Sequence, residues 1–250
     1  MINFIVQARS GSSRMPNKIL LPFYNDNCIL ELLIKKLKTV QNANVIIATS
    51  TNTNCDQIES IAKKYSVICF RGSEDDVLQR FIDAARNNNA DKIVRVCSDN
   101  PFLELKSIHQ LIDYVNSSKD ILDYVSFDIN GFPSIKTHYG FWTEYTTLNT
   151  LIKINSLTKD KLYHEHVTNF IYSHPNLFCI KWIKVPECLA KQTNIRLTID
   201  TEEDFKIAQR IYNDLCSDNP YPTIDEIITF LDSHQDLYQK MKQQISNNSK

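Results

Sequence analysis

The chain has 250 residues, of which 42% are hydrophobic and 23% charged, and its formal net charge is −1. Those values are those of an ordinary soluble globular protein long enough to bury a large core. The near-zero charge excludes a general attraction to nucleic acid or to an anionic membrane, so any anion site must be a local cluster of cations.

Short apolar runs alternate with segments of helical period. Residues 2–6 (INFIV) read as a buried strand. They follow no basic n-region, lead into no cleavage site and are too short for a signal peptide. No later run approaches the roughly 18 apolar residues that a membrane span needs. Residues 28–40 place Ile29, Leu32, Leu33 and Leu37 on one helical stripe, with Lys35, Lys36 and Lys38 mostly away from it. A strand at 44–50, a helix at 55–66, a strand at 67–70 and a helix at 74–88 follow. Next come a strand at 92–96, a helix around Leu105–Val115 and a fifth strand at 123–127. Continuous apolar strands separated by amphipathic helices predict a mostly parallel α/β sheet covered on both faces. In such sheets ligands bind outside the carboxyl ends of the strands.

The alternation breaks from about 130 to 186, where an inserted arm is expected, with a helix around Glu144–Ile154 and a strand at 178–185. Residues 195–200 (IRLTID) read as a strand returning to the main sheet. A helix at 201–215 follows, capped by Thr201, and a last clear helix at 223–234, capped by Thr223. The polar tail is expected to fray. The expectation is one domain over 1–250, the arm preceding the last core strand. Seven cysteines, at 28, 55, 69, 97, 179, 188 and 216, include no C-x-x-C pair. They read as reduced thiols of a cytoplasmic protein, mostly small core residues.

Five stretches carry polar residues where chemistry could sit. The loop QARSGSSRMPNK (7–18) follows the first strand. It reads either as an anion cradle, built on Gly11 and its neighbours Ser10 and Ser12 with Arg9, Arg14 and Lys18 as cations, or as a basic solvated turn. It is neither a P-loop nor a dinucleotide fingerprint. Asp99, in VRVCSDNP (94–101), is either a Mg²⁺ ligand or the start of a turn. Asp200, in RLTIDTEED (196–204), is either a second metal ligand or a helix-capping group. Arg71 and Ser73, in FRGSEDDVL (70–78), read either as base or ribose contacts or as a loop whose Ser73 caps the next helix. YHEHVT (163–168) has histidines at i and i+2, which diverge on a helix, so it argues against zinc. Two acids and three cations at the ends of one sheet's strands form what nucleotidyl transfer needs.

Taken together, VQARSGSSRMPNKIL, ATSTN, FRGSEDDVLQRF, IVRVCSDNPFL, EHVTNFIY and RLTIDTEEDF, in this order, resemble the cytidylyltransferases of the CMP-sugar synthetase group. The likeness is strongest to the spore-coat polysaccharide biosynthesis type, kin of the acylneuraminate and Kdo cytidylyltransferases. The resemblance implies a Rossmann-like nucleotidyltransferase fold, Mg²⁺ dependence and a homodimer joined by the region after the fifth strand. It implies that Ala8, Arg9, Ser10, Gly11, Ser12, Arg14 and Lys18 belong to the triphosphate loop. Ala48, Thr49, Arg71 and Ser73 match the nucleoside stretches, and Asp99 and Asp200 the metal-binding acids. Lys136, His138, Tyr139, Glu144, Glu165 and His166 fall in the acceptor region. The chain departs from the type at CSDNP, where a T-G-D-C-P-like run is common, at PSIKTHYGFWTEY, and at His164, where a basic residue is usual.

The expected reaction binds CTP on loop 7–18 and Mg²⁺ on Asp99 and Asp200. An acceptor hydroxyl, on an acidic sugar, attacks the α-phosphorus, while Arg9, Arg14 and Lys18 stabilise the departing pyrophosphate. Alternatives are another NTP, a non-sugar acceptor, or a nucleotide-binding module without turnover. A nicotinamide-nucleotide binder ranks below these for want of the glycine fingerprint. Neither nucleic acid nor membrane is expected as a partner.

Overall fold

Strand β1 (Ile2–Gln7) is laid parallel between β4 (Ala43–Ser50) and β6 (Lys92–Cys97). In the computed structural model, which describes every residue except 13, 186–188, 190, 191, 218, 249 and 250, these three are the middle of an eight-stranded sheet. Cys188 and the last two residues of the tail lie outside the described residues. The sheet continues through β5 (Ile68–Gly72) beyond β4. On the other side β9 (Glu144–Thr147), β7 (Tyr124–Ile129) and β10 (Ile180–Lys184) follow β6 in that order. A short β8 (Phe132–Pro133) pairs with β7, and β2 (Pro22–Tyr24) pairs with β3 (Asn27–Cys28) apart from the sheet. Among the described strands of the main sheet, only β8 and β9 run antiparallel to their neighbours.

Alternation along the strands feeds two cores. Phe4 and Val6 of β1 point into one apolar cluster and Ile5 into the other. The first cluster holds α1 (Ile29–Leu37), α2 (Asp56–Lys64), α4 (Leu105–Ser117) and the C-terminal helices. The second holds α3 (Val77–Asn87), α5 (Leu148–Leu157), α6 (Lys161–Glu165) and α7 (Asn169–Ser173). This is the expected mostly parallel, two-faced α/β sheet. No described helix is long and apolar enough to cross a membrane.

Four expectations need correction. First, residues 144–147 form a strand where the arm was expected to begin a helix. Tyr145, Thr146 and Thr147 suit a pleated surface, and the strand slots between β6 and β7. Helix α5 starts only after Thr147, whose hydroxyl accepts the Thr150 N–H at 3.1 Å. Second, residues 195–200 join no strand ladder. Ile195, Leu197 and Ile199 alternate into the core. Their segment's N–H groups go to loop carbonyls: Leu197 to His138 at 2.8 Å and Ile199 to Asp99 at 3.0 Å. The alternation marked burial, and burial does not require pairing. Third, Lys36 is buried, with Nζ donating to the carbonyls of Pro101 (3.0 Å) and Leu103 (2.8 Å). Desolvation pushes its pKa down to about 8. Fourth, a further helix, α10 (Gln235–Asn247), follows α8 (Glu202–Leu215) and α9 (Ile224–Asp232). It anchors through buried Leu237, Tyr238 and Met241 and stays helical to Asn247, within the tail expected to fray. The described cysteines 28, 55, 69, 97, 179 and 216 form no disulfide.

Gly140 is what lets the 195–200 segment lie so close. Its φ is +71°, and a Cβ there would stand 3.1 Å from the Leu197 carbonyl carbon. Gly140→Ala is expected to cost roughly 1–3 kcal/mol, from backbone strain and the clash together. A fall in the urea midpoint at unchanged slope checks this; an unchanged midpoint would show that the segment can move aside.

Candidate active site

The carboxyl ends of β1 and β6 and the segment 195–200 meet around one ammonium. Lys18 Nζ lies 3.2 Å from Asp99 Oδ2 and 3.7 Å from Asp200 Oδ1. It also donates to the Ile199 carbonyl. Local structure fixes each partner. Asn17 adopts the left-handed conformation at φ +58°, and its carbonyl accepts the Leu20 N–H at 2.8 Å, so the chain turns sharply at Lys18. Asp99 sits two residues beyond β6, and its carbonyl holds the Ile199 N–H beside Asp200. Arg14 Nη2 reaches Asp200 Oδ1 at 3.1 Å. The structure therefore brings together Arg14, Lys18, Asp99 and Asp200.

Behind them stands a pair that sequence reasoning missed. Arg196 is fully buried; Nε donates to Asp204 Oδ1 at 2.7 Å and Nη2 to Asp204 Oδ2 at 2.9 Å. Nη2 also reaches Asp200 Oδ2 at 3.1 Å. Nη1 donates to His138 Nδ1 at 2.8 Å, since a guanidinium has no acceptor. Asp204 further accepts the N–H groups of Asp200 (3.0 Å) and Thr201 (2.9 Å). Burial alone would raise the Asp204 carboxyl. The Arg196 hydrogen bonds and charge, with those N–H groups, outweigh it and hold the group below its ordinary pKa. Thr201, not Asp200, caps α8, accepting the Asp204 N–H at 3.2 Å. Asp200 is thus left to face Lys18 and Arg14.

The loop before Lys18 is shaped by Ser10. Its carbonyl accepts the N–H of Ser12 and of Asn17, both at 3.0 Å. Its hydroxyl, however, turns inward to Cys55 Sγ at 3.3 Å. Ser12 Oγ accepts the Met15 N–H at 3.3 Å. Ala8 is buried and ties the loop to β4 through the Ala48 carbonyl at 3.2 Å. Gly11 is exposed, and a Cβ there would approach Glu74 Oε1 to 3.1 Å. Arg9 stands apart from the Lys18 cluster and faces Glu165 Oε1 at 3.8 Å.

The residues expected at the nucleoside are differently disposed. Ala48 and Thr49 are buried at the end of β4. Arg71 donates to the carbonyls of Ser50 (3.1 Å) and Asn52 (2.8 Å) and pairs with Asp56 (2.7 Å) and Glu59 (2.8 Å). Ser73 Oγ accepts the Asp76 N–H at 3.0 Å, and Asp76, rather than Ser73, caps α3. Of the residues expected at the acceptor, Lys136 is exposed, its Nζ 4.9 Å from the Tyr172 ring centroid, and His166 is exposed too. Glu165 meets Arg9, and His138 backs Arg196. Tyr139 and Glu144 belong to the interior instead. Tyr139 donates to the Leu189 and Gln192 carbonyls at 3.1 and 2.8 Å. Glu144 pairs with Arg95 at 2.7 Å and accepts hydrogen bonds from Tyr124 and Thr168. His164 spans Asp76 (2.9 Å) and the Thr158 carbonyl (3.1 Å), linking α6 to the cap of α3.

Among the described residues, no three His, Cys, Asp or Glu side chains gather as a metal-binding group. The donor set at the strand ends is two carboxylates among cations, which suits phosphate chemistry.

Comparison with known proteins agrees with that chemistry. The family model described as "Cytidylyltransferase" matches residues 3–248. An uncharacterized protein of Methanocaldococcus jannaschii is 37% identical over 234 residues, covering 93% of this chain and 91% of that protein. The spore coat polysaccharide biosynthesis protein SpsF of Bacillus subtilis is 31% identical over 243 residues, covering 94% and 95%. A solved cytidylyltransferase from Leptospira borgpetersenii superposes with a TM-score of 0.84 at 28% identity, over 95% of this chain and 96% of that one. Since the match runs almost end to end, through the loop, both acids and the α/β sheet that carries them, the chain belongs to the cytidylyltransferase family of nucleotidyltransferases.

Proposed function

We propose that the chain transfers the cytidylyl group of CTP to a hydroxyl of an acidic sugar and releases pyrophosphate. The acceptor oxygen bonds to the α-phosphorus, the bond to the bridging oxygen of the β-phosphate breaks, and the hydroxyl proton is lost. The observation that carries the reading is the convergence of Asp99 and Asp200 on Lys18 beside the loop 8–18. The backbone at Gly11, with Arg14, holds the triphosphate. Lys18 leaves its carboxylates for the phosphate oxygens and neutralises the charge that builds on the leaving pyrophosphate. Arg9 exchanges its partly exposed contact with Glu165 for the same anion.

Asp99 and Asp200 fit a magnesium ion in their donor chemistry: hard carboxylate oxygens, few in number, leaving the remaining positions to phosphate and water. When bound there, Mg²⁺ would supply charge neutralisation at the phosphates. The acidic sugar is supported by the exposed cation Lys136 and by the SpsF relative, whose name refers to polysaccharide biosynthesis. We further read the chain as a cytoplasmic homodimer. The test is pyrophosphate release with each of the four NTPs across a panel of acidic and neutral sugars. Turnover is expected with CTP and an acidic sugar. Turnover with UTP or GTP instead, or with neutral sugars only, would move the assignment; CTP binding without pyrophosphate release from any acceptor would point to a binding module.

A further inference from the structure

Arg71 and Ser73, expected at the nucleoside, are already engaged by protein partners. Another arginine stands at the same strand end with donors to spare. Arg80 projects from α3 alongside Gly72, where an added Cβ would lie 3.1 Å from the Arg80 Cγ. Its tip reaches the first residues after β5: Nη1 donates to the carbonyls of Ser73 and, at 3.4 Å, Glu74. The side chain is fully buried, yet Nε and Nη2 have no hydrogen-bond partner among the described residues. Those two N–H groups share one edge of the planar guanidinium and make a two-donor fork. Burial and the nearby charge of Arg9 both disfavour the charge on Arg80, although Cys55, Glu74 and Asp76 offset part of this. Unfilled buried groups are rare in folded proteins, and here they gather at the carboxyl edge of the sheet, where ligands bind.

The fork calls for two acceptors side by side. In cytosine, O2 and N3 are adjacent acceptors. In uracil, N3 carries a hydrogen, which would set donor against donor. We infer that Arg80 reads the base: its Nε–H and Nη2–H pair with N3 and O2 of the bound cytosine and set the preference for cytidine over uridine nucleotides. This rests on the CTP reading above and names a residue for it. The fork is enclosed as it stands, so base entry includes an outward shift of residues 73–75, which Arg80 holds only through Nη1. Glu74 moves with them, releasing the Ser50 hydroxyl that it now accepts at 2.9 Å.

Isothermal titration with CTP, UTP and 3-deazacytidine triphosphate, in which N3 is replaced by C–H, tests the inference. The wild type is expected to bind CTP about tenfold to a hundredfold more tightly than either analogue, the range for one bidentate pair. Arg80→Met is expected to lose that preference, with CTP weakened and the two analogues changed by less than about threefold. Equal binding of CTP and 3-deazacytidine triphosphate by the wild type overturns the role of Arg80 without needing any variant. Equal weakening of all three nucleotides in Arg80→Met also overturns it, since that marks a merely structural residue. A wild type that binds no CTP overturns the CTP reading itself, a distinct outcome.

Discussion

Replacing Lys18 with methionine is expected to lower kcat for pyrophosphate release by about a hundredfold to a thousandfold or more, with a smaller change in the binding of CTP. The size follows from the role. A point charge aimed at the departing pyrophosphate acts most strongly where negative charge develops, so its loss falls on the transition state. Arg9 and Arg14 remain and continue to hold the ground-state triphosphate. Stability should change little. Asp200 keeps Arg14 at 3.1 Å and Arg196 at 3.1 Å, and Asp99 is about a third exposed, so water takes the place of Lys18 there. Steady-state kinetics with an equilibrium unfolding control separates the two effects. A variant that loses stability but keeps kcat would mark Lys18 as a structural cation only. Asp99→Asn should act in the same direction, because it removes one of the two carboxylates proposed to hold Mg²⁺ at the phosphates.

Arg196→Met is expected to have the largest effect on stability, about 3–5 kcal/mol at neutral pH. The Arg196 side chain is wholly enclosed and that of Asp204 is only 2% exposed, so the variant strands a carboxylate in the interior. The N–H groups of Asp200 and Thr201 remain but do not replace a bidentate guanidinium. The pH dependence follows from the direction of the Asp204 shift. Its folded pKa lies below the unfolded value, so its contribution is present above roughly pH 4 and is lost as pH falls through the folded pKa. Without Arg196 the buried carboxyl moves upward and ionises at a cost. The gap between wild type and variant should therefore be widest near neutrality and narrow toward acid. Urea unfolding at pH 7 and near pH 4 measures it. A gap that is constant with pH would attribute the loss to packing rather than to charge. The variant should also slow turnover, because Asp200 and His138 both lose their common support.

The parallel half of the sheet was legible because each strand is an unbroken apolar run and each crossover helix has a clear stripe. The convergence of Lys18, Asp99 and Asp200 was legible for the same reason: they follow or end segments read as strands, so the topology predicts one edge for all three. What stayed hidden has physical causes. Tyr145–Thr147 merge in sequence with the apolar start of α5, so no break in pattern announces β9. The alternation of Ile195, Leu197 and Ile199 is real, but the partners of that segment are the carbonyls of His138 and Asp99, which periodicity does not encode. Charged residues were the hardest to place. Lys36, Arg80, Arg95 and Arg196 have the composition of a solvated surface, yet all four are buried. Three of them meet acceptors brought from distant sequence: Pro101 and Leu103 for Lys36, Glu144 for Arg95, and His138, beside the nearer Asp204, for Arg196. Arg80 alone relies on nearby carbonyls and keeps two donors unused. Glu144 was expected at the acceptor from the family resemblance, and the sheet draws it inward to Arg95.

The most direct measurement is a crystal structure of the protein with CTP and Mg²⁺. The expected result has the triphosphate lying along residues 8–18, the ion on Asp99 and Asp200, and Lys18 turned from its carboxylates to the phosphates. A triphosphate bound away from this loop, or one bound while Lys18 keeps both carboxylates, would contradict it.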